Sequence, residues 1–92
     1  MKNRSLEGRT AIITGAGRGL GKSMAEGLAA QGVNITLVDL EEDVLARATA
    51  DVEAAGGQGS ALAVSADVTV LDQAQAAINR TIDTFGGLDI LI

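Results

Sequence analysis

The sequence predicts an α/β fold, in which about four parallel strands alternate with three helices. Short β-branched, apolar runs alternate with longer stretches whose apolar residues recur at helical spacing. Apolar residues make up 47% of the chain, but Phe85 is its one aromatic residue, so the core must be aliphatic, as suits helices packed on a sheet. Strands alternating with such helices form parallel βαβ units with right-handed crossovers, and the expected strand order is 3-2-1-4 in a doubly wound sheet.

The first strand and helix are predicted from residues 9 to 32. The run "RTAIIT" (9–14) is short and β-branched, as is typical of a strand buried on both faces. Leu20, Met24 and Leu28 then recur at helical spacing, which predicts the first helix. Gly32 stands where the end of a helix favours a left-handed residue.

A second strand and helix follow. The run "VNITLVDL" (33–40) predicts the strand, and the acidic residues 41–43 suit the first turn of a helix because the helix dipole favours negative charge there. We expect this helix to stop at Gly56 and Gly57. Its predicted inward-facing residues are Val44, Leu45, Ala48, Val52 and Ala55.

The third strand is predicted from "SALAVSADV" (60–68), the third helix ends at Gly86 and Gly87, and "LDILI" (88–92) begins a fourth strand. The third helix is predicted to face the sheet with Leu71, Ala74, Ile78, Ile82 and Phe85. In the order 3-2-1-4, two helices cover one face of the sheet and only the third covers the other. An exposed fourth-strand edge therefore predicts a homo-oligomer, either a dimer paired through that edge or one formed by element swapping.

Composition excludes several classes of function. The chain has no Cys and no His, which excludes disulfides, thiolate chemistry, histidine catalysis and the usual zinc sites, so no metal site is predicted. A net charge of −5 argues against nucleic acid as a partner, although five of the seven basic residues lie in the first quarter. No apolar run approaches membrane-spanning length, and the start lacks a signal peptide. We therefore expect one cytoplasmic domain over residues 1–92.

The stretch "TGAGRGLG" (14–21) lies where the first strand turns into the first helix. The first N–H groups of a helix lack internal partners and lie at the positive end of its dipole, so such a turn can bind an anion. Glycines permit the tight bend, the approach of a phosphate and close helix–strand packing, and Gly15, Gly19 and Gly21 suit these needs in turn. The G-x-G-x-x-G pattern fails from Gly15, because Leu20 holds the final position. A tight turn with a packing role only is the alternative.

Two acidic residues end the second and third strands at the edge where ligands gather in open α/β sheets. Asp39 can accept hydrogen bonds from both ribose hydroxyls of an adenosine and would repel a 2′-phosphate. Asp67 can accept from the adenine amino group, and the N–H of Val68 can donate to the ring. The alternatives are that Asp39 caps the next helix and that Asp67 only forms a turn at the end of its strand.

Together, "TGAGRGLG", "VDL", "ADV" and "GGLDILI" resemble the short-chain dehydrogenase/reductase family over essentially the whole chain. The resemblance implies the cofactor-binding half of a Rossmann-type domain, truncated after the fourth strand. It places the cofactor diphosphate at the family motif T-G-x-x-x-G-[IL]-G, the ribose at Asp39, and adenine beside Asp67 and Val68. The candidate cofactor-binding residues are Thr14, Gly15, Gly17, Arg18, Gly19, Leu20, Gly21, Asp39, Leu40, Asp67 and Val68.

The identity of the cofactor depends on two residues that disagree. In the family, an acidic residue in the position of Asp39 usually signals NAD, whereas a basic residue in the position of Arg18 accompanies NADP in many relatives, because guanidinium can bind a 2′-phosphate with two hydrogen bonds. NAD is expected here, with NADP possible, because Asp39 would lie at the ribose itself. Arg18 could equally be a solvated surface charge.

The family's catalytic Ser and Tyr-x-x-x-Lys pair have no counterpart here. The chain has no tyrosine and no histidine, so no general acid or base for that chemistry is assigned. The parent reaction implied is hydride transfer between a nicotinamide cofactor and an alcohol or carbonyl compound, with this half binding the adenosine end. The alternative is an excised or engineered non-catalytic half-domain. A methyltransferase that binds S-adenosylmethionine ranks lower, because Thr14 stands where an acidic residue usually ends its first strand.

Overall fold

The computed structural model describes residues 6–56 and 60–92, and these form one four-stranded sheet flanked by three helices. The elements in chain order are β1 (Thr10–Thr14), α1 (Gly19–Ala30), β2 (Asn34–Asp39), α2 (Glu42–Ala55), β3 (Ala61–Ser65), α3 (Leu71–Phe85) and β4 (Ile90–Leu91). The sheet order is β3-β2-β1-β4, and every pairing is parallel. The predicted fold class and strand order are confirmed. The predicted helix stop at Gly57 lies outside the described residues.

The register of the strands decides which residues meet at the edge of the sheet. Thr14, the last residue of β1, is paired with Val38, and Asp39 at the end of β2 is paired with Ser65 at the end of β3. The segments that follow β1, β2 and β3 therefore leave the sheet side by side. This edge carries the candidate site.

The sheet separates two apolar clusters because successive residues of a strand point to opposite faces. Ala11 and Ile13 of β1 belong to the larger cluster, which packs under α1 and α2, whereas Ile12 between them belongs to the smaller cluster under α3. Within α2, the residues that are at least 98% buried are Leu45, Ala48 and Val52. Ala55, which was predicted to face inward, is exposed because the helix ends there and the chain leaves it in an extended conformation.

The predicted inward face of α3 is wrong in part. Leu71 and Ile82 are 80% and 43% exposed, and the buried residues of α3 are Ala77 and Thr81. The Thr81 hydroxyl lies 2.8 Å from both the carbonyl oxygen of Ala77 and the hydroxyl of Thr36 on β2, so this polar side chain is satisfied inside the protein. Small side chains let the helix lie close to the sheet, so Leu71 and Ile82 turn towards solvent, while Ile78 packs against the smaller cluster as predicted.

No helix in residues 6–56 and 60–92 is both long enough and apolar enough to cross a membrane.

Candidate functional site

The turn between β1 and α1 depends on backbone conformations that glycine adopts readily. Gly15 and Gly19 have φ angles of +62° and +63°, in the left-handed region that side chains disfavour. A Cβ atom at either position would meet no atom within 4 Å, so the space in front of both backbones is open. Between them, the N–H of Ala16 donates to the carbonyl oxygen of Val38 over 3.1 Å and holds the turn against β2.

Gly21 has a different reason to lack a side chain. A Cβ atom there would overlap the backbone carbonyl oxygen of Gly15, so glycine is what allows the start of α1 to pack against the turn. The chain thus bends tightly at Gly15, the backbone is open to approach at Gly19, and the helix packs closely at Gly21. These are the conformational features that the three proposed roles require.

The first turn of α1 presents N–H groups towards the open space. The N–H of Lys22 is the first to meet an i−4 carbonyl, that of Arg18, over 3.5 Å. The N–H groups of Gly19, Leu20 and Gly21 precede it, and a helix supplies no internal acceptors for these positions. Together with the positive end of the helix dipole, they make this end of α1 suitable for an anion.

Asp39 is held by the turn that faces it. Its Oδ2 accepts the N–H of Gly17 over 2.7 Å, and its Oδ1 accepts the N–H of Leu40 over 2.7 Å. A Cβ atom at Gly17 would lie 2.5 Å from that Oδ2 and 2.8 Å from Cγ1 of Val44, so the carboxylate and α2 come close to a bare backbone. The candidate diphosphate and ribose sites are therefore joined by a direct hydrogen bond.

Arg18 and Glu41 form an ion pair between the two helix starts. Nη2 of Arg18 contacts Oε1 of Glu41, and both side chains are mostly exposed. Arg18 is the N-cap residue of α1, and Glu41 is the N-cap residue of α2. Neither side chain caps its own helix with a hydrogen bond. Further along α1, Lys22 pairs with Asp51, and the hydrogen bond that its ammonium donates to that carboxylate raises the pKa of Lys22.

Asp67 forms a turn after β3. Its Oδ1 accepts the Thr69 hydroxyl over 2.6 Å and the Thr69 N–H over 3.0 Å, and its own N–H donates to Oε1 of Gln73 over 2.7 Å. The two hydrogen bonds from Thr69 lower the pKa of the Asp67 carboxyl group, so it is firmly ionised near neutral pH. The turn that stood as the alternative for Asp67 is present, and it uses one carboxylate oxygen.

A cleft of about 220 Å³ joins the ends of the three strands. Its lining combines most of the candidate adenosine residues with the bend after β1. The lining residues are Gly15, Val38, Asp39, Leu40, Ala66, Asp67, Val68 and Thr69. A ligand in this cleft would lie beside the Asp39 and Asp67 carboxylates and next to the glycine turn.

Two predicted site residues have other contacts or open surroundings. The hydroxyl of Thr14 donates to the carbonyl oxygen of Ile92 over 3.0 Å, so it fastens the segment after β4 to β1. Leu20 is 76% exposed on the outer side of the α1 start. The structure therefore places Gly15, Asp39, Leu40, Asp67 and Val68 around one cleft. Thr14, Leu20 and Gly21 lie outside its lining, as do Gly17, Arg18 and Gly19, which line a neighbouring cavity.

Sequence reasoning missed the partners that orient the two acidic residues. Gly17 is a glycine that the family motif does not require, and this could have indicated its contact with Asp39. The threonine two residues after Asp67 could likewise have indicated the turn there. Glu41 was read only as a charge on the first helical turn. In the described part of the chain, no group of three or more acidic side chains is arranged to hold a metal ion.

Comparisons with known proteins identify the family of the chain. A family model described as short chain dehydrogenase matches residues 9–92. The chain is 40% identical over 87 residues to galactitol 2-dehydrogenase of Agrobacterium fabrum, covering 95% of this chain and 32% of that protein. The chain thus spans about a third of the length of this curated relative.

Solved structures share this fold. L-sorbose reductase from Gluconobacter frateurii, complexed with NADPH and L-sorbose, superposes with a TM-score of 0.89 at 33% identity, over 98% of this chain and 34% of that one. The 3-ketoacyl-(acyl-carrier-protein) reductase from Brucella melitensis, complexed with NADH, gives a TM-score of 0.83 at 38% identity, over 95% of this chain and 34% of that one.

Proposed function

The chain belongs to the short-chain dehydrogenase family, and on that premise we propose that it binds the adenosine and diphosphate parts of a nicotinamide dinucleotide. The observation that carries the proposal is the hydrogen bond from Gly17 to Asp39, which joins a glycine turn at a helix start to a carboxylate at the neighbouring strand end. Relatives with this fold are complexed with NADH or with NADPH.

The diphosphate is proposed to bind the start of α1. Its negative charge suits the N–H groups of Gly19, Leu20 and Gly21, and the open space before Gly15 and Gly19 lets phosphate oxygens reach the backbone. The first turn of α1 has no acidic residue that would oppose the ligand.

The adenosine is proposed to occupy the cleft beyond the turn. An ionised carboxylate only accepts hydrogen bonds, and the N–H groups of Gly17 and Leu40 hold that of Asp39 in place. Its remaining lone pairs can accept hydrogen bonds from the two ribose hydroxyls. The adenine would lie between Leu40 and Val68, where Oδ2 of Asp67 can accept from its amino group. Because Thr69 binds Oδ1, the carboxylate is already oriented before the ligand arrives.

NAD is the proposed cofactor, with NADP as the weaker one. A 2′-phosphate would bring about two negative charges close to the Asp39 carboxylate, which would repel it. Arg18 is the residue that could offset it, but its guanidinium is paired with Glu41.

For a protein that contains these residues as its cofactor-binding part, we propose the type of reaction that the dehydrogenase and reductase relatives carry out. A bound nicotinamide ring exchanges hydride with an alcohol or a carbonyl carbon. This chain's residues would bind and orient the other end of that cofactor, and none of them is assigned a catalytic role, since tyrosine and histidine are absent. We propose residues 1–92 as one partial NAD(P)-binding domain, with self-association through the edge of β4.

Fluorescence titration of the purified chain with NADH, NADPH and S-adenosylmethionine as competitor tests the proposal. We expect NADH to bind with a Kd between about 0.1 and 1 mM, roughly −4 to −5.5 kcal/mol, because none of the assigned residues binds the nicotinamide end. NADPH should bind more weakly. Tightest binding of S-adenosylmethionine would contradict the proposal, and turnover of alcohols with NAD by this chain would contradict the absence of catalytic residues.

A further inference from the structure

Glu41, the acidic residue after β2 that pairs with Arg18, does not line the proposed adenosine cleft. We propose that Glu41 is a specificity-determining residue, which disfavours 2′-phosphorylated dinucleotides by holding the guanidinium of Arg18. The inference rests on the proposed function, because it concerns the choice between two forms of the same cofactor at the same site.

The position of the ion pair places it at the ribose end of the site. Arg18 follows Gly17, whose N–H is bonded to Asp39, and Glu41 lies two residues after Asp39. The pair therefore bridges the two segments that meet at the Asp39 carboxylate. A phosphate on the ribose 2′-oxygen would have to enter between these segments.

The chemistry of the pair works against a phosphate. A free guanidinium can bind phosphate oxygens with two parallel hydrogen bonds, and Arg18 is the cationic side chain nearest in sequence to the Gly17–Asp39 contact. Here one of its terminal nitrogens, Nη2, already bonds a carboxylate oxygen of Glu41. The paired charges of Arg18 and Glu41 sum to zero, and the Asp39 carboxylate, which accepts the N–H of Gly17 next to Arg18, adds one negative charge.

Removing Glu41's charge should change binding without changing the fold. The Arg18 and Glu41 side chains are 69% and 66% exposed, and ion pairs this exposed contribute little to folding stability. The guanidinium released from Glu41 can turn towards the ribose. Asp39 would still repel the phosphate, so the expected effect is a narrower preference for NAD.

The experiment compares NADPH and NADH binding to the wild-type chain, Glu41→Gln, Glu42→Gln and the double variant Arg18→Gln/Glu41→Gln. Glu42 is the matched control, because it is the adjacent exposed acid and forms no ion pair with Arg18 in the described structure. We expect E41Q to bind NADPH about three- to fivefold more tightly, with NADH within about twofold of wild type, as suits one exposed charge pair. E42Q should change the affinity for NADPH by less than about twofold. The double variant should lose the gain in NADPH affinity that E41Q shows.

Failure of the inference differs from failure of the proposed function. Equal NADPH binding by E41Q and E42Q, with NADH still bound, would overturn the role of Glu41 and leave the nucleotide site intact. A gain that persists in the double variant would show that Arg18 is not the group released, and would also overturn the inference. If neither dinucleotide bound to any of the four chains, the proposed function itself would be contradicted.

Discussion

The N–H of Gly17 donates to Oδ2 of Asp39 over 2.7 Å, and this bond ties the turn after β1 to the carboxyl end of β2. The contact leaves no room for a side chain, because a Cβ atom on Gly17 would lie 2.5 Å from the same oxygen. The two halves of the proposed site are consequently not independent. A change in the turn must also displace the carboxylate that is proposed to bind ribose.

Gly17→Ala should therefore weaken nucleotide binding through Asp39. The added methyl group must push the carboxylate away from the Gly17 N–H, and the lost charge-assisted bond should lower the free energy of unfolding by about 1–2 kcal/mol and NADH affinity by about tenfold. Urea unfolding, followed by circular dichroism, measures the first effect, and NADH titration measures the second.

Gly27→Ala is the control, because a Cβ there meets nothing within 4 Å. It should raise stability by about 0.5–1 kcal/mol. Equal NADH affinity in both variants would contradict the coupling.

Gly19→Ala should separate backbone strain from ligand access. Gly19 and Gly86 both have positive φ angles, +63° and +87°, and a Cβ atom at either would meet nothing within 4 Å. Alanine at each should therefore lower the free energy of unfolding by a similar amount, about 1 kcal/mol. Only at Gly19 would the methyl group stand where the diphosphate is proposed to bind. NADH binding should fall at least tenfold in G19A and stay near wild type in G86A, and parallel losses in both would argue that strain alone is responsible.

Asp39→Ala should narrow the preference for NADH over NADPH. The variant loses the acceptor for the ribose hydroxyls, which weakens NADH binding, and it loses the charge that repels a 2′-phosphate. We expect the ratio of the two Kd values to move about tenfold towards unity, measured by paired titrations at one ionic strength. Asp83→Ala, on the exposed side of α3, makes the same change in net charge away from the site. If the ratio of the two Kd values were unchanged in D39A, the proposal that Asp39 binds the ribose would be contradicted.

The strand order and the edge of the sheet could be predicted because the signals for them are local. Apolar, β-branched runs mark the strands and glycines mark the helix ends, and parallel crossovers then place Asp39 and Asp67 at one edge. The Arg18–Glu41 pair could not be predicted, because it joins residues 23 positions apart through two flexible side chains. The burial of Thr81 was missed because apolar periodicity takes no account of a hydroxyl that bonds Ala77 and Thr36.

Thr69→Val should raise the pKa of the Asp67 carboxyl group towards its ordinary value of 3.8. The variant removes the hydroxyl donor and keeps the N–H donor, so part of the lowering should remain. Because the pKa is lowered in the folded chain, these bonds stabilise the fold above the unfolded value, and that contribution is lost as pH falls through the folded value.

The measurement is an NMR titration of the Asp67 carboxyl carbon, together with urea unfolding at several pH values. Wild type should be more stable than T69V at about pH 7, and the difference should shrink in acid. Thr84→Val, at an exposed position of α3, should leave the Asp67 titration unchanged. A stability difference between wild type and T69V that does not vary with pH would contradict this origin.

Leu91→Lys should reduce self-association of the chain. β4 is an edge strand that pairs with β1 through two residues, and Leu91 is 63% exposed there, so unpaired N–H and C=O groups lie beside an exposed apolar side chain. Natural edge strands carry lysine because its charge opposes pairing with a second edge. Light scattering over a range of concentrations should show the mass of the wild-type chain rising towards a dimer and that of L91K staying at a monomer. Ala46→Lys, on the exposed side of α2, adds the same charge away from the edge and should associate like wild type. If the wild-type chain kept a monomer's mass throughout, the β4 edge would have no role in assembly.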